Sequence, residues 1–249
     1  MNPEAEFQTH DTSKYAGMDL QEYPFATLQN NYGKEETYCL DVISSPEKSQ
    51  SPCPVVIFIH GGGFVKNNDK RQGYIPVFAR ALTKAGYIVV SPDYPIYENR
   101  QDRNDDGGDK TAADRAAVAI HAAYEYVQQN AKKFNMDAAR VALMGGSAGG
   151  MTGFAAIANY SDPYRLFVNC WGAIKHELPD MSSFPPVLSI HGTEDQLVDY
   201  ELELPIQAKL EELGIRHELI TLEGARHTPM GRFDEFIPKV LAYLEETMK

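Results

Sequence analysis

Cysteine is scarce in this chain: its 249 residues contain three, Cys39, Cys53 and Cys170. None shows C-x-x-C spacing, so neither a disulfide framework nor a zinc site is expected. Positive charge is also in short supply. Lys and Arg number 23 against 35 Asp and Glu, which leaves a net charge of −12 and a pI near 5.0. That balance argues against a nucleic-acid surface and disfavours highly anionic substrates through long-range repulsion. Long apolar runs are missing too. The N-terminal stretch MNPEAEFQTHDTSKYAG has no apolar h-region, and no run elsewhere approaches the length that spans a bilayer. The expected partners therefore include neither nucleic acid nor membrane. The chain as it stands is expected to be cytoplasmic, and periplasmic or secreted if a signal peptide has been trimmed.

What is present is an alternation of strand and helix patterns. The apolar periodicity predicts strands at Thr37–Ile43, Pro54–His60, Tyr87–Ser91, Arg140–Met144, Leu166–Gly172, Val187–His191 and His217–Leu222. Between them it predicts helices at Tyr74–Ala85, Thr111–Phe134, Ser147–Asn159, Leu202–Leu213 and Phe233–Met248. Continuous apolar strands such as VVIFI and YIVV suit a parallel sheet covered on both faces, hence a doubly wound α/β fold. With 43% hydrophobic residues the chain can bury one sizeable core. The expected organisation is an N-terminal arm over residues 1–30 and a single α/β catalytic domain over residues 31–249.

In such a sheet the chemistry gathers in loops at the carboxyl ends of the strands. One of these is VALMGGSAGGMTGF, Val141 to Phe154. A hydrophobic strand runs into Gly145-Gly146-Ser147-Ala148-Gly149 and then into a helix of small residues, the strand–turn–helix setting of a G-x-S-x-G nucleophile elbow. A second loop is HGGGF, His60 to Phe64, whose successive glycines can present backbone N–H groups to a developing oxyanion.

A serine hydroxyl requires a general base, usually a histidine oriented by a carboxylate. Asp195 follows one predicted strand in GTEDQLVD and His227 follows the next in EGARHTPM. The order Ser147, Asp195, His227 is the one expected of a triad on a strand–turn–helix fold of this type. Glu194 and Asp199 compete with Asp195 for the acidic role. His60 and His191 stand at strand ends beside glycines, where an imidazole more often bonds nearby backbone.

Taken together, HGGGF, GGSAGG, HGTEDQLV and GARHTPM, spread from Pro54 to the C-terminus, resemble the α/β-hydrolase superfamily. Within it, the chain is similar to the hormone-sensitive-lipase-like and carboxylesterase group. The resemblance implies the α/β-hydrolase fold, with a mostly parallel central sheet and helices on both faces. It implies Ser147 as nucleophile, His227 as base and Asp195 as its orienting acid, with the backbone N–H groups of Gly62, Gly63 and Ala148 as oxyanion hole. It further implies a serine esterase that needs no cofactor and no metal. Two positions depart from the group's pattern: Gly146 precedes the nucleophile where many relatives have a larger residue, and DYPIY from Asp93 lacks a downstream arginine.

The connection AIKHELPDMSSFPP after Leu166–Gly172 is too short for a helical cap, so no large cap domain is expected. Trp171 and Phe64 are candidate substrate contacts, with a core aromatic as the equal alternative for Trp171. In Glu98–Lys110, Asp102-x-Asn104-x-Asp106-Gly107 matches the first half of an EF-hand loop, but position twelve is Ala113, so a solvated rim loop is expected over a calcium site. The expected activity is hydrolysis of short-chain carboxylic esters through an acyl-enzyme, on small-molecule or carbohydrate esters such as acetylated or feruloylated sugars. An amide-directed hydrolase with the same triad and a non-catalytic ligand receptor are the alternatives.

Overall fold

The computed structural model describes residues 12–66 and 68–248. Eight strands form one sheet: β1 (Asp19–Gln29), β2 (Glu35–Ser44), β3 (Cys53–Ile59), β4 (Ile88–Pro92), β5 (Met136–Gly146), β6 (Phe167–Cys170), β7 (Val187–Gly192) and β8 (His217–Leu222). Their order is β1-β2-β4-β3-β5-β6-β7-β8. β2 runs antiparallel to both β1 and β4, and every other pairing is parallel. This is the α/β-hydrolase fold.

Alternate residues of the central strands feed two cores. Val55, Ile57 and Ile59 of β3 face the layer of α3 (Gly108–Phe134), α4 (Ala148–Asn159) and α5 (Glu203–Glu212). Val56 and Phe58 face α1 (Ile75–Lys84) and α6 (Phe233–Thr247) on the other side. A strand whose two faces are both covered must be apolar at every position, which is why VVIFI shows no alternation. Among the described residues no helix is long and apolar enough to cross a membrane.

The expected N-terminal arm is corrected in part. Residues 1–11 lie outside the described residues, but Asp19–Gln29 forms β1, paired with β2 from Asp19↔Ser44 to Gln29↔Glu35. As an edge strand it has one half-buried face, so its sequence DLQEYPFATLQ carries little apolar signal. Pro24, which cannot donate to a ladder, sits at the register shift, where an edge strand tolerates it.

The expected rim loop is also different in kind. Arg100–Asp105 forms a short helix, α2, whose N-cap Asn99 accepts a hydrogen bond from Asp102 N at 3.0 Å. Asp102 accepts from Tyr32 at 2.6 Å, and Asp106 is paired with Arg115 and accepts from Tyr97. The carboxylates of the half-matched motif are thus spread over separate partners. Among the described residues no group of three or more His, Cys, Asp or Glu could hold a metal.

Candidate active site

Strand order fixes where the two glycine loops meet. β3 lies beside β5, with Ile59 opposite Gly145, and the chain reverses its direction of sheet growth there. Ligand crevices in open α/β sheets form outside the carboxyl ends at such a point. HGGG leaves β3 and GGSAGG leaves β5 at that crevice.

Ser147 sits at φ 56°, ψ −119° between β5 and the start of α4. This left-handed backbone is unfavourable for a residue with a side chain, at about 1–3 kcal/mol. The turn is held by a hydrogen bond from Ser147 N to Cys170 O at 2.9 Å. Its tightness explains Gly149: a Cβ there would lie 2.2 Å from the Ile59 carbonyl oxygen.

The serine hydroxyl is 2.8 Å from His227 Nε2, and His227 Nδ1 is 2.7 Å from Asp195 Oδ2. Asp195 Oδ1 accepts from the backbone N–H groups of Leu197 at 2.9 Å and Val198 at 3.0 Å. His191 Nε2 lies 3.3 Å from Asp195 Oδ2 and 2.8 Å from the Val198 carbonyl. Burial of Asp195 opposes ionisation, but the donors from His191, His227 and the two backbone amides outweigh it and hold the carboxyl well below the usual range. Asp195 is therefore a lasting anion fixed at the Nδ1 edge of the imidazole. That leaves Nε2 able to accept a proton from the serine hydroxyl.

The competing acids are elsewhere. Glu194 is exposed, and Asp199 accepts from Glu201 N to cap the 3-10 turn Tyr200–Leu202. His60 and His191 both bond backbone carbonyls, Gly61 O at 2.8 Å and Val198 O at 2.8 Å.

Gly62, Gly63 and Ala148 line the same cavity as Ser147 and His227, of about 390 Å³. Gly61 is excluded as a donor because Gln72 Oε1 and Tyr74 OH already accept from its N–H, at 2.8 and 2.7 Å. Those two side chains fix the loop's trajectory. Gly62 itself needs φ +106°, and a Cβ there would lie 2.2 Å from Asn68. Ala148 is the first residue of α4 and lines the cavity, so its N–H has no intrahelical partner.

Gln72 and Tyr74 follow a buried ion cluster. Arg71 clasps Asp41 through Nε at 2.6 Å and Nη2 at 2.8 Å, and Lys70 pairs with Glu22 and Asp93. Asp93, without an arginine downstream in DYPIY, is served by Lys70 from another loop. None of these supports was marked by the sequence reading. Gln72 and Tyr74 lie well beyond Gly61 in the chain, in a segment without a motif.

Phe64 lines the cavity but is 1% exposed and packs its ring on Tyr94. Trp171 does not line it. With φ 44° just beyond β6, its ring turns to the opposite face of the sheet and packs among Tyr74, Phe233 and Phe236. Trp171 is a core aromatic, and the substrate-contact expectation for it is withdrawn. Next to the site, a more apolar groove of about 450 Å³ runs between α3, α4 and the segment after β6, sharing Met151, Asp109 and Lys175 with the cavity.

The model of the family described as BD-FAE matches residues 40–170, which takes in β3, both glycine loops and α4. The chain belongs to the BD-FAE family. The BD-FAE match ends with β6, so the segments carrying Asp195 and His227 lie outside the matched span. Esterase LipC of Mycobacterium tuberculosis is 28% identical over 166 residues, 66% of this chain and 36% of that protein. The bifunctional acetylxylan esterase/xylanase XynS20E of Neocallimastix patriciarum is 25% identical over 178 residues, 69% of this chain and 24% of that protein. This BD-FAE chain thus spans about a quarter to a third of the length of these relatives. Among solved structures, a truncated carbohydrate esterase from gut microbiota superposes with a TM-score of 0.69 at 18% identity, covering 92% of this chain and 96% of that one. A bacterial heroin esterase superposes at 0.73 with 16% identity, covering 94% and 86%. At these identities the likeness establishes the fold.

Proposed function

We propose that this chain is a serine hydrolase of short-chain carboxylic esters that works through an acyl-enzyme. The observation that carries the reading is the unbroken relay Ser147–His227–Asp195, at 2.8 and 2.7 Å, opening into a cavity whose wall is Gly62, Gly63 and Ala148. In this mechanism His227 Nε2 takes the proton of Ser147 Oγ as that oxygen bonds to the ester carbonyl carbon. The carbonyl oxygen becomes an oxyanion, held by the N–H groups of Gly62, Gly63 and Ala148. Collapse breaks the bond to the alcohol oxygen, and His227 returns the proton to the departing alcohol. Water, deprotonated by the same nitrogen, then releases the acid and restores Ser147. Asp195 fixes the imidazole tautomer and stabilises the imidazolium.

A cavity of about 390 Å³ suits a small acyl group and one sugar-sized alcohol. The names of the acetylxylan esterase/xylanase and of the gut carbohydrate esterase support a carbohydrate as that alcohol. The test is to label the protein with a fluorophosphonate and to assay p-nitrophenyl acetate and butyrate, acetylated xylan and methyl ferulate, alongside an amide matched to the preferred ester. Labelling at Ser147 and ester turnover that both vanish in Ser147→Ala are expected. An unlabelled Ser147, or an amide cleaved faster than its ester, would overturn the reading.

A further inference from the structure

Among the residues that line the cavity of Ser147 and His227, cations outnumber carboxylates, the reverse of the molecule as a whole. Arg100, Arg103 and Lys175 all line it, and Asp109 is the one carboxylate among its lining residues. Asp109 serves two of the three cations, Arg103 Nη1 at 2.8 Å and Lys175 Nζ at 3.1 Å. Arg103 is further fixed by donating to the Gly63 carbonyl at 3.0 Å and to Asn104 Oδ1. The Arg100 side chain has no ion pair or hydrogen bond among the described residues, and Arg100 is exposed. Its position is unfavourable for the helix it opens, because a cation in the first turn of α2 faces the positive end of the helix dipole.

The acidic residues of the same segment are engaged away from the cavity. Glu98 pairs with Lys66, Asp102 accepts from Tyr32, Asp105 accepts from Gln101 and Asp106 pairs with Arg115. None of the four lines the cavity. A chain of net charge −12 therefore has, at the mouth of its candidate active site, one arginine, Arg100, without an ionic partner among the described residues. Exposed charges are screened over about 8 Å at physiological ionic strength, so a bound group is governed by these neighbours and not by the distant acidic surface.

We infer that the substrate carries a carboxylate, seated on Arg100 with Arg103 and Lys175 behind it. This rests on the ester-hydrolase reading above, and it fixes where the anion belongs. An acetyl, propionyl or butyryl group has no place for a charge, so the carboxylate lies on the alcohol. The substrate class is an O-acylated uronic acid. Arg103 bridges this subsite to the proposed oxyanion loop through the Gly63 carbonyl, so the sugar acid would lie on the α2 side of the scissile bond.

The experiment compares acetate release from O-acetylated methyl glucuronoside with release from methyl glucoside acetylated at the same position. The expected ratio of kcat/KM favours the uronate by about fivefold, the worth of one partly exposed ion pair of about 1 kcal/mol, and shrinks in 0.5 M NaCl. Arg100→Gln should bring the ratio toward one, and Arg100→Glu should invert it. A wild-type ratio near one, or a preference that neither variant nor salt moves, would overturn the inference. Failure of the protein to cleave either sugar ester or p-nitrophenyl acetate would overturn the ester reading instead. Calorimetry on Ser147→Ala with the same two sugars still decides carboxylate recognition in that event, since it requires no turnover: tighter binding of the uronate supports it, equal binding refutes it.

Discussion

Glu203 opens α5 with its side chain fully enclosed, at 0% exposure. Its Oε1 accepts from Gln207 Nε2 at 2.7 Å and its Oε2 from Asn169 Nδ2 at 3.1 Å. Burial pushes its pKa up to about 7 from 4.5, against the opposing pull of Ser189, Gln207, His191 and Asn169. A protonated Glu203 has a hydrogen to donate. The two amides that bind it each keep a buried oxygen, Asn169 Oδ1 and Gln207 Oε1, with no partner among the described residues. Between pH 4.5 and 7 the native protein then holds a proton that the unfolded chain has released, so stability falls as pH rises through that window. A rise of about 2.5 pKa units corresponds to roughly 3 kcal/mol in total, of which between about 2 and 3 kcal/mol is lost from pH 5 to pH 8.

Glu203→Gln keeps the shape of the neutral acid and cannot ionise. Urea unfolding of both proteins at pH 5 and pH 8 should show the variant gaining on the wild type by between about 2 and 3 kcal/mol across the interval. His191 titrates in the same direction: Asp195 and the Val198 carbonyl outweigh its burial and raise its pKa. Glu203 is itself one of the groups that raise it, so part of this contribution goes with Glu203→Gln and adds to the difference in the same direction. Parallel pH profiles for the two proteins, or a wild type that gains stability from pH 5 to pH 8, would refute the argument.

Three further outcomes follow from the site. Asp195→Asn should lower kcat by about 10⁴-fold, as in the analogous protease substitution, while Asp199→Asn stays near wild type because Asp199 caps a turn; the reverse result would reassign the acid. Wild-type kcat/KM on p-nitrophenyl esters should peak at acetyl to butyryl and fall about tenfold by octanoyl, and Met151→Ala should flatten that fall by joining the cavity to the neighbouring apolar groove, at up to about fourfold for each CH₂ newly buried. An unchanged chain-length profile would show the groove to be closed to the acyl group. Gly149→Ala, which in an exposed helix would gain about 1 kcal/mol, should instead lose about 3 kcal/mol or more in urea unfolding, since the added methyl meets backbone at 2.2 Å.

Much of the fold was legible because central strands buried on two faces leave an unmistakable apolar run, and because α3 and α4 end the loops that define them. β1 was not, since an edge strand with one half-buried face and a proline at its bulge reads like a polar arm. α2 has no buried residue, so its helix rests on the Asn99 cap and not on an apolar stripe. Ser147, Asp195 and His227 could be placed because each follows a strand, and the sheet carries such positions to a common edge. Trp171 also follows a strand, but a positive φ sends its ring to the far face, and backbone sign is invisible in a residue type that rarely adopts it. Gln72, Tyr74 and the Lys70–Arg71 anchor act on Gly61 through a fold that no local spacing encodes.

The pairing of β3 with β5 has a consequence for how the protein comes into being. The two glycine loops that enclose the cavity are separated in the chain by α1, β4, α2 and α3, and they adjoin only because the chain crosses back over β3 before laying down β5. Contacts of such long sequence separation close slowly. The helices can form, and β1 can fold onto β2, while the cavity does not yet exist. Regain of catalysis during refolding thus times this crossover together with the docking of β7 and β8, which bring Asp195 and His227, and far-ultraviolet circular dichroism should recover ahead of it.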